Sequence, residues 1–325
     1  MILITGGAGF IGSVLARDLN KLGYKNLILV DRMEHSSKWK NLIHISFHEL
    51  IHADKLFDKE NERLLSKVNM IFHMGACSST TETDMDFLLE NNINYSKNLF
   101  KFASGKNIGF IYASSAATYG SGEQGYSDDH SKSRSLIPLN PYGFSKFVFD
   151  NWALEQQKTP AFWYGLKFFN VFGPNEYHKN DMRSLVCKAY EQILKTGKVL
   201  LFKSHRSDYE DGWQLRDFVY VKDASRAMIK MMDKGSCDKD GLYNLGTGKA
   251  RSFYDLVKAS FEAMNYDVKI EYTDMPEKIK DQYQYYTCAD MKKFFSLLDD
   301  FSFLELEDAV KDYVSSHLSQ EDSYY

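Results

Sequence analysis

Short apolar runs alternate with stretches of helical periodicity through the first half of the chain. Ile2–Ile4, Leu27–Val30, Ile43–Phe47, Asn69–His73, Ile108–Ala113 and Ala161–Phe169 read as successive strands. Between them, helical spacing begins near Phe10 (Ile11, Val14, Leu15, Leu19). It returns around Lys55–Leu65, over Met85–Phe102 as a long amphipathic stretch, and over Tyr142–Leu154. Such alternation predicts right-handed crossovers and an α/β fold: a Rossmann-type doubly wound parallel sheet. Ligands of that architecture bind beyond the carboxyl ends of the strands.

The pattern changes after Gly173-Pro174. A polar loop covers Asn175–Asp181, and helical stretches follow at Met182–Lys195, Ala224–Met232, Ser252–Met264 and Leu304–Leu318. Short strands near Val199–Phe202, Phe218–Val221 and Tyr243–Leu245 separate them. This predicts a dinucleotide-binding domain over 1–169, with return segments near 216–245. The remainder, 170–325, is mainly a smaller mixed α/β substrate-binding lobe. The polar tail Ser319–Tyr325 is expected to fray.

Composition narrows the class without naming it. The chain has 325 residues, 44% hydrophobic and 26% charged, an ordinary globular balance. A net charge of −4 argues against general nucleic-acid or membrane-surface binding. No apolar run reaches transmembrane length, and a strand at Ile2 leaves no room for a signal peptide. Cys77, Cys187, Cys237 and Cys288 are widely spaced with no CxxC pair. They read as free thiols in a reducing cytoplasm, with no metal site.

Candidate chemistry falls just past the predicted strand ends. Gly6, Gly9 and Gly12 lie between the first strand and the first helix. Glycine there permits a tight turn and close approach to a pyrophosphate, which the helix N-terminus then faces. Asp31 ends the second strand about 20 residues later, where a ribose-binding acid is expected. Ser115 follows the fifth strand, and Tyr142-Gly-Phe-Ser-Lys146 places a phenol and an ammonium on one helical face. A free phenol titrates near 10, so a neighbouring ammonium and a cationic ring are needed to favour the phenolate. Tyr142 could then trade a hydroxyl proton that Ser115 holds by a hydrogen bond. A second copy of the spacing, Tyr254/Lys258, lies in a helix marked as core by Phe253, Leu256, Val257 and Phe261. No glycine loop or serine pair leads up to it.

Thr5-Gly6-x-x-Gly9-x-x-Gly12 with Ser115 and Tyr142-x-x-x-Lys146 resembles the extended short-chain dehydrogenases/reductases, the sugar-nucleotide epimerases and dehydratases. The stretches His73-Met-Gly-Ala-Cys-Ser-Ser-Thr-Thr-Glu82, Phe168–Pro174 and His178-Lys179 are similar to the ADP-L-glycero-D-manno-heptose 6-epimerases among them. So are Arg216–Tyr220, Asn244–Gly248 and Tyr283-Gln284. The resemblance covers nearly the whole chain. It implies transient oxidation of ADP-heptose at C6 and re-reduction on the other face. Two acid/base groups are implied, Tyr142 and Lys179, with Lys146 also holding the nicotinamide ribose.

The resemblance implies NADP, with NAD as the alternative. Asp31 suits a ribose hydroxyl, whereas Arg32 and Lys38 are cations suited to a 2′-phosphate. Phe10, Ile11, Met74, Gly75, Ala76, Cys77, Ser78, Asn91 and Val171 would line the rest of the cofactor groove. The sugar nucleotide would meet Asn170, Asp181, Lys188, Phe202, Lys203, Ser204, His205, Arg216 and Tyr283. Asp181 and Lys188 depart from the family pattern, and Ser204–Leu215 is longer and more charged than it. A homo-oligomer is implied, a pentamer by the family's habit. The rivals are another nucleotide-sugar epimerase such as a UDP-hexose 4-epimerase, a 4,6-dehydratase, and a cofactor sensor without chemistry. Ala117-Thr118 stands where a dehydratase carries an acid pair, and the intact Tyr142 and Lys146 oppose the sensor.

Overall fold

The computed structural model describes residues 1–34, 36–236, 239–280 and 283–325. The first half runs β1 (Ile2–Thr5), α1 (Phe10–Lys21), β2 (Leu27–Asp31), β3 (Glu49–His52), α2 (Glu62–Leu65) and β4 (Met70–His73). Then come α3 (Met85–Leu88), α4 (Tyr95–Lys106), β5 (Gly109–Ser115), α5 (Pro141–Leu154) and β6 (Phe162–Phe168). The second half holds β7 (Asn170–Phe172), α6 (Leu185–Thr196), β8 (Val199–Phe202), β9 (Leu215–Tyr220) and α7 (Val221–Lys234). It ends with β10 (Gly241–Leu245), β11 (Ala250–Ser252), α8 (Phe253–Ala263), β12 (Ile270–Thr273), α9 (Glu277–Lys280), α10 (Lys292–Leu297) and α11 (Leu306–Tyr313).

Seven strands form one parallel sheet in the order β10-β6-β5-β4-β1-β2-β3. The direction of winding reverses between β1 and β4, which opens a crevice at their carboxyl ends. Alternate residues feed opposite faces: Ile2 and Ile4 join one apolar cluster, Leu3 the other. Burial on both faces is why these strands read as unbroken apolar runs. Register brings Thr5 beside His73, and Ser115 beside Phe168, so the strand ends share one rim. A small sheet β11-β9-β7 and the pair β12-β8 build the second lobe, around Phe172, Val186, Phe218, Leu256 and Val310. Among the described residues, no helix is long and apolar enough to cross a membrane.

Three expectations are corrected. The third strand lies at Glu49–His52, not Ile43–Phe47. Ile43 and Phe47 are 55% and 38% exposed, and only Ile51 of β3 is buried. An edge strand covered on one side needs no apolar run, so periodicity misplaced it. The helix around Lys55–Leu65 is two single turns and the short α2, because only Leu56 and Leu65 there enter the core. The tail is not frayed. The Tyr325 amide donates to Asn175 Oδ1 at 2.9 Å, Tyr177 Oη donates to the Ser323 carbonyl at 2.8 Å, and His44 meets Asp322 at 2.6 Å. The long helical stretch from Met85 does run through, with a π-helical segment at Leu89–Asn94 between α3 and α4.

Candidate functional site

The turn after β1 is shaped by what cannot fit there. Gly6 holds φ at +64°, and a methyl on Gly12 would fall 2.1 Å from the Gly6 carbonyl oxygen. One on Gly75 would fall 2.7 Å from the Gly6 nitrogen. Gly9 precedes α1 with no capping side chain, and no acidic residue occupies the first turn. The free N–H groups and the positive helix end therefore face the crevice, which suits a pyrophosphate.

Beyond this turn lies a cleft of about 790 Å³. Gly6, Gly9, Phe10, Ile11, Gly12, Asp31, Lys38, Met74, Gly75, Ala76, Cys77 and Ser78 line it, with Val171 on its far lobe. A hollow of about 270 Å³ shares Gly6, Asp31, Lys38, Gly75, Ala76 and Cys77 with it and is closed by Arg32 and Asn91. Asp31 is 8% exposed; it accepts from the Ala8 amide at 2.9 Å and from Lys38 Nζ at 3.2 Å. Arg32 donates to Asp54 at 2.5 Å and also bonds Asn91. The lining thus fits a dinucleotide, and both cations stand beside Asp31, each paired with a carboxylate.

Ser115 ends β5, and Tyr142 and Lys146 come from α5, which starts at Pro141 under an Asn140 cap. All three line the cleft. Lys146 is buried and donates to the Ala113 carbonyl at 2.9 Å. Burial pulls its ammonium down to about 8, against the opposing pull of Asp150. Burial pushes the Tyr142 phenol up, and the hydrogen bond with Ser115 works against that rise. Burial sets the direction of that shift, and Lys146 is not among the groups that move the phenol in the protein alone. A cationic ring in the cleft would have to supply the rest.

Lys179 occupies the turn Tyr177–Met182, its ammonium 5.5 Å from the centre of the Phe10 ring. Burial lowers its pKa, opposed by Glu176. Lys179 and Asn170 both line the same cleft as Tyr142. The second copy of the spacing is elsewhere: Tyr254 stacks on Trp213 at 5.4 Å, and Lys258 points to Glu262 on the surface.

The other nucleotide-sugar candidates gather outside the cleft wall. Arg216 is buried between Phe253 and Tyr283, 5.5 and 5.1 Å from their ring centres; Phe253 itself lines the cleft. Lys203 pairs with Asp274, the Ser204 amide with Asp211, and His205 with Tyr285 at 2.8 Å. Phe202 closes β8. Lys188 Nζ donates to the Asp181 carbonyl at 2.6 Å, so these two residues close on each other. Cys77, Cys187 and Cys288 are free thiols, and Cys237 lies outside the described residues.

Sequence reasoning missed Phe87 and Tyr95, which line the small hollow with Asn91. Their spacing of four and four around Asn91 was the available signal. The cleft also takes in His178 and, from the 179–188 segment that the resemblance assigns to the sugar nucleotide, Arg183 and Ser184.

The chain matches the NAD dependent epimerase/dehydratase family over residues 2–246. It is 46% identical to ADP-L-glycero-D-manno-heptose-6-epimerase of Fusobacterium nucleatum, with 100% of both chains covered. It is similar to the crystal structure of the Helicobacter pylori protein of that name, with TM-score 0.79, 31% identity, and 97% and 95% of the two chains covered. A UDP-glucose 4-epimerase structure from Thermotoga maritima, holding UDP-glucose, shares 27% identity at TM-score 0.76, with 96% and 97% covered.

Proposed function

Because the chain belongs to the NAD dependent epimerase/dehydratase family, we propose that it interconverts ADP-D-glycero- and ADP-L-glycero-D-manno-heptose by inversion at C6. The product would serve the heptose inner core of lipopolysaccharide. The observation that carries this reading is one cleft lined by a glycine turn, Ser115, Tyr142, Lys146 and Lys179, in a chain similar over its full length to heptose 6-epimerases.

When bound, the nicotinamide supplies a reversible two-electron oxidation of the C6 carbinol, with no net redox over a turnover. Gly9, Phe10, Ile11 and Gly12 would hold its pyrophosphate, and Lys146 its ribose. Tyr142 takes or returns the C6 hydroxyl proton while Ser115 orients that hydroxyl. Inversion presents the carbon by either face, and Lys179 serves the second orientation. Its lowered pKa supports that role, since a desolvated lysine is more readily neutral.

The cofactor in this reading is NADP. Lys38 and Arg32 would turn from Asp31 and Asp54 to take a 2′-phosphate, leaving Asp31 to a hydroxyl. Denaturing the purified protein and assaying the released nucleotide enzymatically decides it: NADP is expected, and NAD alone would overturn the choice. Residues Asn170, Asp181, Lys188, 202–205, Arg216 and Tyr283 would hold the ADP-sugar. A cytoplasmic homo-oligomer completes the proposal. The decisive experiment is turnover of ADP-heptose in deuterated water. The 6-epimer should form without deuterium at C6, and solvent label there would sink transient oxidation.

A further inference from the structure

Three consecutive residues at the end of β5 are each tied to a different turn of α5. The Ala113 carbonyl accepts from Lys146, Ser114 Oγ donates to Asp150 Oδ2 at 2.7 Å, and Ser115 hydrogen-bonds Tyr142. The middle tie is the deepest. Asp150 and Lys167 are each 1% exposed and form an ion pair of 2.9 Å. Tyr112 Oη also donates to Asp150 at 2.8 Å. Lys167 Nζ reaches on to Thr118 Oγ1 at 2.7 Å, and that hydroxyl donates to the Ser115 carbonyl at 2.8 Å. Ser115 is therefore held at its own carbonyl, through Lys167, and at its neighbour Ser114, through Asp150.

A buried ion pair is a poor way to stabilise a fold, because desolvation of two charges consumes most of their attraction. Apolar side chains of similar size would serve stability as well. What they would lack is the set of directed bonds to Ser114 and Thr118. The junction leaves little slack: a methyl on Gly143, one residue after Tyr142, would fall 2.8 Å from the Ala117 oxygen. We propose that Asp150 and Lys167 are positioning residues that fix Ser115 against Tyr142, and so set the geometry for proton exchange with the sugar. Neither residue lines the cleft, and the inference rests on the reading of Tyr142 and Ser115 given above.

The test uses the holoenzyme with Asp150→Leu/Lys167→Met, which removes both charges together, and with the conservative Lys167→Arg. The double variant should bind cofactor and keep its KM within about twofold, while kcat falls roughly 10- to 100-fold. Lys167→Arg keeps the cation but puts a wider guanidinium in a site 1% exposed, so kcat should fall less than in the double variant. Should the double variant fail to fold, Thr118→Val cuts only the link to the Ser115 carbonyl and should lower kcat with KM unchanged. A crystal structure of whichever variant folds is the readout independent of turnover: Ser115 should have moved off Tyr142. Wild-type kcat, or an unmoved Ser115–Tyr142 contact, overturns the inference. A wild-type protein that fails to turn over ADP-heptose overturns the functional reading instead, and the crystallographic arm still decides the positioning role.

Discussion

Burial makes Tyr142 a weaker acid than a free phenol, so the proposed proton exchange requires a positive ring beside it. Tyr142→Phe should therefore bind cofactor as the wild type does and lose epimerisation by about 10²- to 10⁴-fold, followed by NMR of the sugar. Lys146 shows the opposite cost. Its ordinary value of 10.5 is pulled down to about 8 in the folded protein. At pH 7 the lysine is charged in both states, and the folded state carries the full burial penalty, about 3 kcal/mol. Above pH 8 the folded protein loses the proton first, so the penalty fades by about 10.5. Lys146→Met should thus be more stable than wild type at pH 7 by about 2 kcal/mol, after about 1 kcal/mol for the lost bond to the Ala113 carbonyl. Urea unfolding of the two apo-proteins at pH 7 and 9.5 checks it: an advantage that grows with pH contradicts the burial argument. Tyr142 and Lys146 are legible from their spacing, whereas Lys179 is a lone charge in a polar loop and is legible only through resemblance to a family.

Elements differ in how much they reveal. Strands buried on both faces, such as β1, β2 and β5, announce themselves as apolar runs. The edge strand β3 and the short strands β7, β11 and β12 do not, since backbone pairing rather than side-chain burial defines them. The tail is the clearest case. Its polar composition predicts fraying, yet Tyr325 and Ser323 bind Asn175 and Tyr177 in the loop that carries Lys179. Ending the chain at Glu321 should cost about 2–4 kcal/mol of stability, since five hydrogen bonds from Asp322, Ser323 and Tyr325 to Asp18, Lys21, His44, Asn175 and Tyr177 are lost, most of them partly exposed to water. Amide exchange across residues 175–184 should quicken with it. Unchanged protection of that loop would show that the tail does not brace it.

For the molecule as a whole, burial holds several histidines neutral. His73 is pulled down to about 3, and His130, His178 and His317 to about 4, from an ordinary 6.5, in each case chiefly by desolvation. His73 is the most enclosed, bonded between Thr5 at 2.6 Å and Ser96 at 2.7 Å. A depressed histidine contributes stability above 6.5 that is lost as pH falls toward its folded value, because the unfolded chain binds the proton first. The urea midpoint should therefore hold between pH 8 and 7 as far as histidines are concerned, then fall steeply from 6.5 to 4. A midpoint flat to pH 5 would mean these side chains find solvent in the native state. The α/β alternation, the glycine turn and the Tyr142/Lys146 pair are written into local pattern alone: burial periodicity, a steric demand, a spacing on one helix. Packing of distant segments settled which charges find partners, as Arg32 finds Asp54 and Asp150 finds Lys167. It alone decided that Lys179 shares a cleft with Tyr142, and that Arg216 lies behind Phe253. Those outcomes depend on desolvation and on contacts between residues far apart in the chain, and no window of sequence contains both partners.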